Sequence, residues 1–88
     1  MTKFEEQMVN MMHDSRRNLF EADRKFMEYT DTLTEKQLRE KRITIADREE
    51  MTRLKDEADE ASKSYREILE AVHNYILLLI LSNEMTLN

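Results

Sequence analysis

The chain has 88 residues and a formal net charge of -5, and it contains no glycine, proline or cysteine. Without cysteine there is no disulfide framework and no thiolate site, and without glycine there is no phosphate-cradling loop or dinucleotide fingerprint. Tight β-turns also lose their preferred residues, so the composition favours helices in one small domain, residues 1–88. Acidic and basic side chains are mixed, 19 against 14, which argues against a nucleic-acid partner because such a binder needs a basic face.

Apolar residues in the first half of the chain recur at helical spacing. Steps of three or four residues, with one double step over Ser15, connect Phe4, Met8, Met11, Leu19, Ala22, Phe26, Tyr29 and Leu33. This stripe is widened by Val9, Met12, Phe20 and Met27. The spacing predicts an amphipathic helix over about residues 2–40, with Thr2 as its N-cap.

The sequence offers two places for this helix to end. The threonines of segment 30–34 are poor helix formers and overlap two capping-box patterns. Thr44 also resembles an N-cap, with Asp47 three residues later supplying negative charge to a first helical turn. Only Thr44 precedes a new sustained period, so the main turn is expected at about 41–44. A break or short stub helix near residues 31–42 is the open alternative.

The second half of the chain follows a strict heptad pattern. Steps of three and four residues alternate through Met51, Leu54, Ala58, Ala61, Tyr65, Ile68, Val72, Tyr75 and Leu79. Leu77, Leu78 and Leu81 point away from this seam, so the last two turns are apolar nearly all round and require burial on more than one side. A helix is therefore predicted over about residues 45–83, followed by a frayed tail, 84–88.

Together these patterns predict an all-α fold, a two-helix antiparallel hairpin. A hairpin has one seam and two exposed flanks, and a chain this short often needs a partner. The apolar residues in excess of the seam are candidate partner-binding residues: Phe4, Met8, Met11, Met12, Phe20, Met27, Ile76, Leu77, Leu78, Ile80 and Leu81. Because a hairpin brings the chain ends together, the early methionines and the 76–81 segment are expected to form one patch.

Catalysis is not expected from this sequence. The only histidines, His13 and His73, are not a turn apart as a helical zinc motif requires, although a site bridging the two helices stays open. Adjacent carboxylates face different directions on a helix, and a hairpin has no cleft to shift their pKa values. We therefore expect no enzyme activity, no cofactor and no metal. The longest apolar run, residues 75–81, is too short to cross a bilayer, and a cytoplasmic protein is expected.

The chain opens with a pattern that resembles a known family. Its members begin with a threonine, an apolar residue after one intervening position, Glu-Glu-Gln, an apolar residue and a nearby asparagine. Here those positions are Thr2, Phe4, Glu5, Glu6, Gln7, Met8 and Asn10. The second helix is similar as well, with spaced alanines leading to Val72-His73-Asn74-Tyr75-Ile76. The family is YscE, small bacterial type III secretion proteins. This chain is longer, lacks the glycines usual at the turn, and adds the apolar run 77–81.

The resemblance implies a helical-hairpin co-chaperone in the bacterial cytoplasm. Such proteins bind a tetratricopeptide-like chaperone, and the pair keeps the needle subunit unpolymerised before export. Two alternatives come from the residues themselves. The chain is a self-assembling coiled coil or four-helix bundle, a homo-oligomer whose patch pairs with its own copy, or it is a phage-encoded inhibitor that occupies a host protein's surface.

Overall fold

The computed structural model describes the backbone of residues 1–87 and the side chains of residues 1–83. It consists of two helices, α1 (Lys3–Glu40) and α2 (Ile45–Leu87), joined by residues 41–44. The helices pack against each other in opposite directions: Phe4 contacts Tyr75 near one end of the molecule, and Lys36 contacts Asp47 near the other. The predicted antiparallel hairpin is confirmed.

A capping box begins α1. The Glu5 backbone N–H donates to Thr2 Oγ1 at 3.1 Å, and the Thr2 backbone N–H donates to Glu5 Oε1 at 2.8 Å. This pair satisfies backbone donors that the first turn of a helix leaves free. The Thr2 N–H, donating to the carboxylate, also holds the pKa of Glu5 below its usual value. The predicted cap at Thr2 is confirmed.

The helix α1 continues without interruption through its threonines. The hydroxyls of Thr30, Thr32 and Thr34 each donate to the carbonyl four residues earlier, at 2.9 to 3.0 Å. Their polar groups are therefore satisfied inside the helix and do not compete with it. The alternative of a break or stub helix near residues 31–42 is wrong, since α1 ends only at Glu40.

The turn at residues 41–44 lies where the Thr44 pattern places it. Lys41 closes α1 in the left-handed conformation, and its N–H donates to the Gln37 carbonyl at 2.9 Å. Thr44 and Asp47 then cap α2 reciprocally: each backbone N–H donates to the other's side chain, at 3.0 and 3.1 Å. Lys36 reaches across from α1 to the Asp47 carboxylate at 2.8 Å.

The seam of α1 differs from the predicted stripe in its first three turns. It runs in steps of three and four through Met8, Met12, Ser15, Leu19, Ala22, Phe26, Tyr29 and Leu33, all buried or half-buried. Ser15 is only 7% exposed and donates its hydroxyl to the Met12 carbonyl. Phe4 and Met11 are exposed beside the seam, not in it. In α2 every predicted seam residue is buried or half-buried except Leu79, which lies where α1 begins.

The two helices have unequal reach at the end opposite the turn. Because Phe4 lies beside Tyr75, the N-terminal end of α1 is level with about Leu79 of α2. The last eight residues of α2, about 12 Å of helix, therefore extend beyond α1. The predicted helix end near residue 83 is wrong: α2 continues to Leu87, because no glycine or proline stops it. Asn88 and the side chains of 84–87, which the predicted fraying concerns, lie outside the described residues.

The molecule is a rod of 70 × 21 × 16 Å. Its Cα radius of gyration is 20.1 Å, against about 12 Å for a compact domain of 88 residues. Its accessible surface is 7313 Å², against about 5,500 Å² for a compact protein of this mass. The hairpin therefore leaves much more surface in water than a globular fold does.

Candidate protein-binding surface

We call the end of the rod opposite the turn the open end, formed by residues 1–15 and 67–83. It contains nine of the eleven candidate partner-binding residues. Every residue from 76 to 81 is at least 40% exposed, and Phe4 and Met11 exceed half exposure, while Met8 and Met12 are half-buried beneath them. The structure thus brings the early apolar residues and the 76–81 segment to the same end of the rod.

One side of the open end is an apolar depression that we call the Phe4 groove. It is lined by Phe4, Met8, Met11, Ile68, Ala71 and Leu78. The Phe4 ring meets Tyr75 edge-on, with centroids 5.5 Å apart and planes at 68°. This contact fixes the position of one wall, and Ala71, with its single methyl group, leaves the floor open. Sequence reasoning missed Ile68 and Ala71 as lining residues because both belong to an otherwise regular heptad helix.

The other side of the open end has a second apolar depression, the Met12 groove. Its lining includes Met1, Val9, Met12, Val72, Ile76 and Leu79. The two grooves lie on opposite flanks because Met11 precedes a seam residue by one position, whereas Val9 follows one. Tyr75 separates them, and burial, with the nearby negative charge of Glu5, raises the pKa of its phenol.

Ionic side chains are absent from the two sequence segments that supply most of the groove lining, although Glu5 lines the Met12 groove. No Asp, Glu, Lys or Arg occurs between Glu6 and Asp14, or between Glu70 and Glu84. The polar side chains in these two segments are asparagines, a glutamine, Ser82, Tyr75 and the two histidines. An uncharged apolar surface of this kind loses little on desolvation when another protein covers it.

The structure does not bring Phe20 and Met27 to this surface. Phe20 lies about 24 Å along α1 from Phe4 and about 160° around it. Both side chains are exposed, and neither lines a groove of the open end. Phe20 and Met27 are thus candidate partner-binding residues that lie apart from the open end.

The flank that carries the Phe4 groove turns polar towards the middle of the rod. There it is lined by Asn18, Glu57 and Glu60. Nearer the turn, Lys25 and Glu50 lie beside Arg53, which forms ion pairs with Glu50 and Glu57 on its own helix. These charges end the apolar surface on this flank about midway along the molecule.

Exposed apolar side chains also occur at the turn end. Leu38, Ile43 and Ile45 are exposed, and the first two flank a shallow depression against Met51. The pattern of apolar residues did not indicate a surface here, because Leu38 stands alone among polar residues and the two isoleucines flank the predicted cap at Thr44. Leu38 has nearly the same exposure as Leu78, 67% against 65%, which makes it a matched reference for the open end.

The described part of the chain holds no group of three or more His, Asp or Glu side chains arranged to bind a metal ion. His13 and His73 are both exposed. No helix in that part is long and apolar enough to cross a membrane. The feature that stands out in that part of the chain is the exposed apolar surface of the open end.

Comparison with known proteins finds no family model, no curated protein and no solved structure that matches this chain.

Proposed function

We propose that this chain is a non-enzymatic protein-binding module whose open end docks on a helical partner. The observation that carries the proposal is the exposure of all six residues from 76 to 81, an apolar and uncharged segment. Contiguous apolar surface of this extent is rare on proteins that act alone and marks interaction sites.

The residue types at the open end suit a helical partner. Phe4 and Leu78 line an apolar groove, and the three methionines near Phe4 are flexible enough to fit an irregular surface. An amphipathic helix laid into such a groove buries its apolar face through residues spaced three and four apart. Conversely, the eight-residue extension of α2 fits a concave partner.

The finer proposal is a co-chaperone of type III secretion. In this proposal the open end docks on a tetratricopeptide-like chaperone in the bacterial cytoplasm, and the complex helps to keep a needle subunit unpolymerised. Its support is the resemblance of the first ten residues to the YscE family, together with the hairpin fold. Tetratricopeptide repeats form concave surfaces that bind extended helical ligands, which is compatible with a rod-shaped partner.

The proposal is tested by coexpressing the chain with a tetratricopeptide-like chaperone from the same secretion locus, followed by size-exclusion chromatography. We expect a stable complex with the wild-type chain. Leu78→Asp should weaken it by at least about thirtyfold, the effect of losing an interface residue worth 2 kcal/mol. Leu38→Asp, which changes an equally exposed leucine at the turn end, should leave the complex intact.

Circular dichroism of each variant checks that helix content is unchanged, and Met8→Asp provides a second variant within the Phe4 groove. If the Leu78 and Met8 variants both copurify with the chaperone as the wild type does, the open end is not the docking surface.

A further inference from the structure

The isolated hairpin exposes more surface than its mass requires. The surplus over a compact protein is about 1,800 Å². A standard stable interface removes about 800 Å² from each partner. One interface of that size fits the surplus, and the apolar, uncharged part of the surface places it at the open end.

A second copy of this chain meets no charge repulsion at the Phe4 groove. In a twofold pair the residues near the axis lie close to their own counterparts, so a charged patch at the axis would repel itself. None of the residues that line the Phe4 groove is ionic. The Phe4 groove is therefore compatible with self-pairing on electrostatic grounds.

The charged part of the flank that carries the Phe4 groove restricts how two copies overlap. If the rods lay parallel along their full length, Glu57 and Glu60 of each copy would face those of the other. If they lay fully antiparallel, the Phe4 groove would cover the charged side chains near the turn, Lys25, Glu50 and Arg53. Both arrangements bury or oppose charges at a cost. Overlap of the open ends alone avoids both.

The Phe4 groove also carries its own complement. Leu78 is 65% exposed at the groove's edge, and Ala71, two helical turns away on the same face, leaves space in the groove. In a twofold arrangement, Leu78 of each copy enters the space above Ala71 of the other. The protruding Leu78 and the space that receives it then lie on the same surface of each copy, as an isologous interface requires.

We propose that two copies of this chain pair through their open ends, overlapping in opposite directions about a twofold axis that lies between Ala71 and Leu78. Each copy inserts Leu78 into the Phe4 groove of the other. Because the same surface is assigned to the helical partner, pairing excludes partner binding and holds the unbound chain in a soluble form. That exclusion rests on the proposed function, whereas the pairing itself does not.

The test uses the isolated full chain in sedimentation velocity and small-angle X-ray scattering. We expect a dimer of about 21 kDa, twice the 10.7 kDa of one chain. With Leu78 of one copy beside Ala71 of the other, two rods of 70 Å overlap by about 40 Å and give a maximum dimension of about 100 Å. Leu78→Asp should weaken dimerisation at least tenfold, and Leu38→Asp should not change it.

Ala71→Arg is the second variant, since arginine is a good helix former and Ala71 is exposed, so the substitution fills the groove without disturbing the seam. A wild-type monomer at every concentration overturns the proposal. So does a dimer no longer than one rod, equal weakening by the Leu38 and Leu78 variants, or full dimerisation of both Leu78→Asp and Ala71→Arg. None of these measurements involves the chaperone, so failure of the proposed partner binding would be recognised separately.

Discussion

Lys41 is a single residue on which the turn geometry depends. Its φ of 56° and ψ of 34° lie in the left-handed region, where a side chain brings Cβ close to the following carbonyl oxygen. Glycine normally occupies this position at a helix C-terminus, and the chain has none. The hydrogen bond from the Lys41 N–H to the Gln37 carbonyl offsets part of that cost.

We therefore expect Lys41→Gly to stabilise the hairpin by about 1 kcal/mol, because glycine adopts this conformation without the Cβ clash. Arg42→Gly is the matched control, since it removes the same charge from the next residue, whose φ is not positive. It should destabilise the hairpin by up to about 1 kcal/mol. Urea unfolding followed by circular dichroism measures both. Shifts of the two midpoints in the same direction would contradict this account of the turn.

Asp47 joins the two helices at the turn. Its Oδ2 accepts from Lys36 Nζ at 2.8 Å and from the Thr44 backbone N–H at 3.0 Å, and Tyr29 donates to Oδ1 at 3.4 Å. Lys36, followed by the Thr44 N–H, lowers the pKa of the Asp47 carboxyl from 3.8 to about 2. Burial and the same carboxylate raise the pKa of the Tyr29 phenol.

A pKa that is lower in the folded than in the unfolded chain stabilises the fold above the unfolded value. The contribution of Asp47 should thus be complete above about pH 5 and be lost as the pH falls from 4 to 2. Asp47→Asn should lower the urea midpoint at neutral pH. Near pH 2 the midpoints of the variant and the wild type should lie closer together. Asp23→Asn, which changes an exposed carboxylate of α1, is the control. An Asp47→Asn deficit that does not depend on pH would contradict the linkage.

At the scale of the helix, the middle of the seam is built from small residues. Ser15 and Ala22 of α1 lie in the same stretch of the hairpin as Ala58 and Ala61 of α2, and Ser15 and Ala58 are buried. Small side chains bring the two helix axes close together there. The buried hydroxyl of Ser15 costs little, because it donates to a carbonyl of its own helix.

Ser15→Leu should therefore destabilise the hairpin by about 1 to 3 kcal/mol, because the close-packed position has no room for three more carbon atoms. Ser15→Ala should be neutral or stabilising by about 0.5 kcal/mol, since alanine is the better helix former and no cross-helix bond is lost. Thermal unfolding compares the two variants. A stabilising Ser15→Leu would mean that the seam is loosely packed at this point.

The helices were predictable to different degrees. The unbroken heptad from Met51 fixes the seam of α2 from sequence alone. In α1 the apolar cluster of residues 8–12 is compatible with two helical stripes, one through Met11 and one through Met12. The structure uses the stripe through Met12, which was not predicted because its next member, Ser15, is polar. The threonines of segment 30–34 are equally ambiguous. Whether a threonine breaks a helix depends on where its hydroxyl finds an acceptor, and here each finds one within α1.

At the scale of the whole molecule, the predicted surplus of apolar residues at one end corresponds to a real surface. Its division into two grooves could not be predicted, because it depends on the register between the helices, which one sequence does not specify. The same register removes Phe20 and Met27 from the surface and leaves the end of α2 without a neighbour in α1. Counting apolar residues predicted a surplus over the seam, and the packing shows that this surplus is exposed on both flanks of the open end.

The uninterrupted course of both helices gives the molecule a fixed reach. Whatever holds the open end keeps the Lys41 turn, with Leu38 and Ile43 exposed beside it, at the far end of a 70 Å rod. That distance is set by residue count: removing one heptad from each helix would shorten it by about 10 Å and preserve the seam phase. The hairpin therefore holds its two end surfaces about 70 Å apart, where they are able to contact two different molecules at a set spacing.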